Sequence, residues 1–398
     1  MHQDRINLML VAGEPSGDAH ASALATALKT SAGSAELELF GATGPLMRAA
    51  GVESAVRSDD LSILGLLEIG RALPKFWTAY ETLKQEALER NPDAVVLVDW
   101  PDFNFRLARS LHARGLKIIY YISPQLWAWR SHRVRNIQRD VDLLLAILPF
   151  EPGWYAARGV EHVEFVGHPL AGEVRARYGR DEFCRRHGLE PGKAIISLLP
   201  GSRAQELKRI LPPMLEAASI ISDQNRAIQF VLAIAPSRSI DGAHEIISSR
   251  PDAAKLRQLL TITQHETREA LAASHAAAIA SGTATLEAAL LGTPMVIVYK
   301  ESRLNWHTLG RLITAEHFGL VNLIAGERLV TELMQNDFTG ERLAEEISAL
   351  LEPQRNEELR HSLNRITAQL GNGGASQRAA KRILEAIREW NVGRNPKS

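Results

Sequence analysis

Along the chain, short wholly apolar runs alternate with longer stretches whose apolar positions recur at helical spacing. A strand covered on both faces reads as an unbroken apolar run, so this alternation predicts βα units building a buried parallel sheet. In the first half the predicted strands are Ile6–Ala12, Leu37–Phe40, Ala94–Asp99, Lys117–Ser123, Leu143–Leu148 and Val163–Val166. The scheme then restarts with Ala194–Leu199, Phe230–Ala235, Leu260–Thr263, Ala276–Ala280 and Met295–Tyr299. The restart predicts an α/β protein of two Rossmann-like lobes facing a cleft. A boundary is expected after Gly167-His168-Pro169, where a polar segment, Glu173–Gly192, leads onward. Helical spacing after Leu343 is interrupted by Gly371-Asn372-Gly373-Gly374, which a helix interior does not hold cheaply. The expected domains are therefore 1–169, 170–370, and a terminal helix in 371–398 that packs back on the first domain or on a partner chain of a homodimer.

The chain's 398 residues exceed the roughly 250 to 300 at which one core stops growing. With 45% hydrophobic and 23% charged residues it has the composition of a globular protein, not a disordered one. Formal net charge is zero, so no overall basic field draws nucleic acid, and none is expected as a partner. A single cysteine, Cys184, excludes an intramolecular disulfide and a multi-cysteine metal cluster. Ile6–Ala12 is too short to span a bilayer, and the chain is read as cytoplasmic.

Ligands of open α/β sheets sit beyond the carboxyl ends of strands, which makes the residues there the candidate chemistry. After Ile6–Ala12 comes Gly13-Glu14-Pro15-Ser16-Gly17-Asp18, a turn that lets backbone approach a ligand at a helix N-terminus, or simply caps the helix through Ser16 or Asp18. It lacks the GK[ST] ending of a Walker loop and the order of a nucleophile elbow. Ala94–Val98 runs into Asp99-Trp100-Pro101-Asp102-Phe103-Asn104, which either aims Asp99 at the cleft as a general base or makes it a helix cap or a buried partner for an arginine, Asp102 or Asn104 being the better cap. The segment Ser123–Arg130 brings Trp127, Trp129 and Arg130, followed by His132, Arg133, Arg135 and Arg139. The two indoles suit either the wall of a sugar site or a core anchor; the cations suit a phosphate, an anionic surface or a solvated helix face.

In the second lobe, Ala194–Leu199 ends in Pro200-Gly201-Ser202-Arg203 at a helix start, setting amides beside a guanidinium as a diphosphate requires. Ser281-Gly282-Thr283 follows Ala276–Ala280 in the same way, and Glu287, one turn into the helix, is placed to accept hydrogen bonds from ribose hydroxyls. Neither an HExxH pair nor a cysteine cluster argues for a metal, and no metal or other cofactor is expected. Together these features predict a nucleotide-sugar transferase.

The ordered segments Ala12–Asp18, Pro101–Asn104, Ser123–Arg130, Leu148–Glu151, Gly167–Pro169, Leu199–Arg203, Ala280–Glu287 and Pro294–Val296 resemble those of the lipid-A-disaccharide synthases, inverting glycosyltransferases of the two-lobed GT-B type. The resemblance covers almost the whole chain. It implies a UDP-2,3-diacylglucosamine donor, a 2,3-diacylglucosamine 1-phosphate acceptor and a β-1′,6-linked disaccharide 1-phosphate product, made on the inner face of the inner membrane by a peripherally associated enzyme. It implies that Asp99 is the essential carboxylate, that Arg203 and Glu287 bind the nucleotide, and that the turn at Gly13–Asp18 lies on the acceptor side with Asn104. Asn322 enters as a nucleotide-side residue, although Val321 stands where the family usually has proline. Work on lipids suggests that Ile63, Leu64, Leu66, Leu67, Ile69, Leu73, Phe76 and Trp77, with Arg71 and Lys75, form either an amphipathic segment on an anionic membrane surface or a core-facing helix. A neighbouring possibility is another GT-B enzyme using UDP-N-acetylglucosamine, such as a 2-epimerase or a transferase to a different lipid.

Overall fold

The computed structural model describes residues 5–61, 69–301 and 317–394. Ile63, Leu64, Leu66 and Leu67 of the expected amphipathic segment lie outside the described residues, as do the side chains of Ile69, Arg71 and Leu73. The chain forms two compact units, Met1–Pro169 with Leu370–Ser398, and Leu170–Gln369.

The first unit is built on β1 (Arg5–Ala12), β2 (Glu36–Thr43), β3 (Glu53–Arg57), β4 (Ala94–Val98), β5 (Ile118–Tyr121), β6 (Leu143–Ala146) and β7 (Val163–Phe165). All pair in parallel, in the order β3-β2-β1-β4-β5-β6-β7. Because side chains alternate across a strand, β1 feeds two cores. Leu8, Leu10 and Ala12 pack with Leu24 and Leu28 of helix α1 (Pro15–Ser31) and with Ala379, Ile383 and Ile387 of the terminal helix. Met9 and Val11 pack on the other face with Leu83 of a helix over Ile69–Arg90 and Leu107 and Leu111 of one over Pro101–His112. Each such leucine, isoleucine, valine or methionine, fully buried, contributes about 1.5–3 kcal/mol. Numbered in chain order, a short helix at Pro45–Ala49 is α2, Ile69–Arg90 is α3 and Pro101–His112 is α4.

The terminal helix, Ala375–Arg394, completes the first unit. Arg378 Nε donates to the Val166 carbonyl at 2.7 Å, the His168 amide donates to the Leu370 carbonyl at 2.9 Å, and Arg382 pairs with Glu164 at 2.8 Å.

The second unit holds β8 (Ala194–Leu199), β9 (Ile228–Ile234), β10 (Leu260–Gln264), β11 (Ala276–Ala280), β12 (Met295–Tyr299) and β13 (Glu332–Met334), parallel in the order β10-β9-β8-β11-β12-β13. Strands β8, β11 and β12 have the expected bounds residue for residue. Strands β3 and β13 were not expected: each is a sheet edge with glutamate at its start, so neither shows an unbroken apolar run.

In each sheet the winding reverses once, between β1 and β4 in the first and between β8 and β11 in the second. At such a reversal the connecting helices leave to opposite faces, which opens a crevice beyond the carboxyl ends of the two strands. The turns at those ends are Gly13–Asp18 and Asp99–Trp100 in one unit, Gly201–Arg203 and Ser281–Thr283 in the other. Topology therefore collects most of the candidate residues into one crevice per unit.

Candidate functional site

In the first crevice β4 stops at Val98, one residue short of the expected strand, because Asp99 and Trp100 turn into the left-handed region with φ of 50° and 52°. Such conformations cost of order 1–3 kcal/mol each and persist only where surroundings over-determine them. The Asp99 carbonyl accepts from Asn104 Nδ2 at 2.6 Å and from Tyr120 Oη at 2.7 Å. Trp100 stacks on Phe103 with centroids 4.0 Å apart and planes within 8°. The backbone of Asp99 is thus pinned while its carboxylate is left for chemistry. Gly13 is required here: a Cβ on it would lie 2.0 Å from the Trp100 ring. A Cβ on Gly17 would lie 3.8 Å from that of Asp99, so the first turn of α1 rests against the acid.

Burial holds the Asp99 carboxyl above its usual range, opposed by the Trp100 amide and the charge of His20. Glu14 is raised as well, by partial desolvation and then by the charge of Asp99. A carboxylate that is half-buried and pushed upward is a stronger base than a solvated one, the direction a general base requires. Ser16 is exposed on the same turn.

Three expected residues of this unit have other tasks. Asp18 is buried and its two oxygens accept from the amides of Leu46 and Met47, each at 2.9 Å, so it caps α2. Asn104 is wholly buried and serves the site by holding the carbonyl of Asp99. Trp127 is the core anchor of the two alternatives: it is buried, its Nε1 donates to Glu151 at 3.2 Å, and Phe150 meets it edge-on. Trp129 is 40% exposed with the Arg130 guanidinium 4.2 Å over its ring. Arg130 and Arg133 both pair with Asp102, tying the β5 loop to the start of α4.

In the second crevice the two turns meet as expected. Gly201, Ser202 and Arg203 share with Ser281, Gly282 and Thr283 a cavity of about 340 Å³. The helix beginning at Thr283 brings its first residues, Thr283 and Ala284, to the wall of this space, while the Thr285 amide turns back to the Gly282 carbonyl at 3.1 Å. Missed in the sequence was Glu206, whose Oε2 accepts from the amides of Ser202 and Arg203 at 2.9 and 3.0 Å and whose Oε1 pairs with the Arg203 guanidinium at 3.3 Å. The spacing Arg203-x-x-Glu206 is the signal, since a glutamate at the third helical position reaches back to the cap. Gly201, at φ 106°, has no room for a side chain: a Cβ would come within 2.5 Å of that same carboxylate.

Beside it Glu287 lines a second cavity, about 470 Å³, with Arg175, Arg177, His265 and Arg268. Arg268 was also missed; its Nε and Nη2 both donate to Glu287 Oε1, at 3.0 and 2.8 Å, leaving Oε2 to a ligand hydroxyl. Asn322 is not gathered here. It is fully buried, donates to the Val330 carbonyl and Glu332 at 2.9 and 2.8 Å, and accepts from the Val330 amide at 2.9 Å, so its hydrogen bonds are spent within the fold.

Comparison with known proteins agrees with this geometry. The family described as lipid-A-disaccharide synthetase matches residues 8–387. A lipid-A-disaccharide synthase of Geobacter sulfurreducens is 41% identical over 384 residues, covering 96% of this chain and 97% of that protein. In fold the chain is similar to a UDP-N-acetylglucosamine 2-epimerase of Listeria monocytogenes, described there as putative (15% identity, TM-score 0.61, 99% of both chains), and to MurG of Acinetobacter baumannii (13% identity, TM-score 0.56, 96% of this chain and 99% of that one). The two parallel sheets are of the GT-B glycosyltransferase type. The match runs through both crevices from β1 to the terminal helix, and the chain belongs to the lipid-A-disaccharide synthetase family.

Proposed function

We propose that the chain transfers 2,3-diacylglucosamine from its UDP derivative to 2,3-diacylglucosamine 1-phosphate with inversion, releasing UDP and a β-1′,6-linked disaccharide 1-phosphate. The observation that carries the reading is the pinned backbone and raised carboxyl of Asp99 at the winding reversal of the first unit. In this reading Asp99 takes the proton from the acceptor's 6-hydroxyl as its oxygen bonds to the donor's anomeric carbon. The bond from that carbon to the diphosphate breaks, and its electron pair leaves with UDP. Arg203 and the amides of Gly201, Gly282 and Thr283 meet the negative charge that gathers on the leaving group, and Glu287 accepts from the ribose. Positive charge at the leaving group comes from the chain itself, so no cofactor is assigned. Glu14, Ser16 and Gly17 border the acceptor, with Trp129 and Arg130 at its far side.

Both substrates are amphiphiles, and none of the described helices is long and apolar enough to cross a membrane. Trp77, 64% exposed on α3 near Lys75, supports contact with an anionic membrane surface on the inner face of the inner membrane. Mass spectrometry of the products formed from the two acylated substrates tests the proposal. A disaccharide 1-phosphate is expected in step with UDP; UDP release without it overturns the reading.

A further inference from the structure

A third cavity, about 880 Å³, lies in the first unit between α3 and α4. Phe76, Trp77 and Tyr80 form one wall and Trp100 and Phe103 the other. Their rings brace one another, with Phe76 and Trp100 centroids 5.9 Å apart and Tyr80 edge-on to Phe103 at 6.2 Å. Phe76, Tyr80 and Trp100 are only partly buried against the core beneath, so each presents a free apolar face to the groove. Arg106 and Arg109, exposed and one turn apart on α4, stand at its rim, and neither is in an ion pair among the described residues. The other rim carboxylate, Asp102, is already taken by Arg130 and Arg133.

The groove reaches the residue next to the base. Trp100 follows Asp99 directly, its ring is wedged against Gly13, and the same ring lines the groove. At a rise of about 1.5 Å per residue, Arg106 is one to two turns along α4 from the start at Pro101. A small ring with a hydroxyl at Asp99 would have only Trp100 between it and an aromatic trough edged by two guanidinium groups. Aromatic lining beside unpaired cations is complementary to an amphiphile with a hydrocarbon tail and a phosphate.

We infer that this groove is the acceptor's lipid subsite, taking one acyl chain between α3 and α4 with the acceptor's phosphate at Arg106 and Arg109. The inference rests on the transfer reading above and adds to it where the acceptor's tail and phosphate are held. Burying a methylene is worth about fourfold in affinity, so chain length is the sensitive readout.

The test measures kcat/KM for glucosamine 1-phosphate acceptors that differ only in acyl length, long against short, with the donor fixed. Ala113→Trp and Ser110→Phe place bulk in the groove from exposed or half-exposed positions, and melting curves establish that each variant is folded. In each, the long-over-short ratio falls tenfold or more while the short acceptor's value changes less than threefold. Arg106→Gln with Arg109→Gln raises acceptor KM about tenfold at both lengths. An unchanged ratio in the folded variants overturns the inference, as does an equal loss on both acceptors. A ratio that recovers in mixed detergent micelles while vesicle binding is lost assigns the groove to the bilayer and overturns it too. If the wild-type chain forms no disaccharide from either acceptor, the transfer reading has failed and the subsite falls with it; disaccharide formation with an unaffected ratio sinks the subsite alone.

Discussion

The two winding reversals use the same topology for opposite kinds of work. In the first unit the crevice is made reactive by burial: Asp99 sits on two successive left-handed residues, pinned through its carbonyl, with its carboxyl raised by the loss of water. In the second the crevice is lined by main-chain amides and an exposed guanidinium, and the nearest carboxylates, Glu206 and Glu287, are engaged with Arg203 and Arg268. In the proposed reaction, strain and desolvation tune a proton acceptor, whereas regular helix starts and paired charges recognise an anion. The difference teaches that one βαβ device supplies a base or a phosphate seat according to whether a side chain or the backbone faces the crevice.

The largest effect should come from removing the side chain that the first crevice prepares. Asp99→Asn keeps the pinned carbonyl and deletes the base, so kcat should fall by about 10³ with the dissociation constant of UDP within threefold of wild type. The acid limb of the wild-type pH–kcat profile should lie above the ordinary aspartate value of about 4, because the protonated carboxyl cannot accept. Steady-state rates with calorimetry of UDP binding check this. A comparable loss of UDP affinity would erase the division of labour between the units.

A smaller effect is expected in the second crevice, where several groups share one task. Arg203→Ala should lower kcat by about 10² by removing one of the donors that meet the leaving diphosphate, and should weaken UDP as well. That coupled loss of rate and binding is the opposite of the Asp99 result. Rates and UDP affinity measured on the same preparation separate the two patterns. If Arg203→Ala cost only rate, the second crevice too would be a reactive centre and not mainly a binding seat.

How much of this was legible in the sequence depended on whether local pattern or distant partners decide a residue's role. Strands β8, β11 and β12 are buried on both sides, so their unbroken apolar runs fix their bounds; β3 and β13, at edges and opening on glutamate, lack that signal. The placing of Asp99, Arg203 and Ser281–Thr283 followed from strand ends alone. What could not be read was which polar side chains are already satisfied. Asp18 and Asn322 stand beside glycine-rich or helical segments much as ligands do, but their partners lie 28 and 8 residues away in the chain. Trp127 kept two readings until Glu151 was seen beneath it. The anchor Tyr120 sits inside an apolar strand, and nothing in that strand says that its hydroxyl ends at the carbonyl of Asp99.

Glu151 supplies the subtlest test, because it is another carboxyl of the same unit that burial raises and yet has no expected part in chemistry. Burial raises it to about 7, further than the hydrogen bonds from Leu148, Trp127, Ser123 and Ile147 can hold it down. Its folded value lies above the unfolded one, near 4.5, so between those values the folded state binds more protons than the unfolded state. Stability therefore falls as pH rises through that window, and the penalty is fully present above about 7, amounting to a few kcal/mol at most. Glu151→Gln, which cannot ionise, should remove that slope: its melting temperature relative to wild type should rise between pH 5 and pH 8, with kcat at neutral pH changed less than threefold. Paired melting curves across the range check it. A pH-independent difference would mean that Glu151 stays ionised in the fold, its donors outweighing burial. Burial alone would then no longer set Asp99 apart, and the contrast between the two acids would rest on hydrogen bonding: the carboxylate of Glu151 is saturated by the protein, whereas the pinned part of Asp99 is its carbonyl.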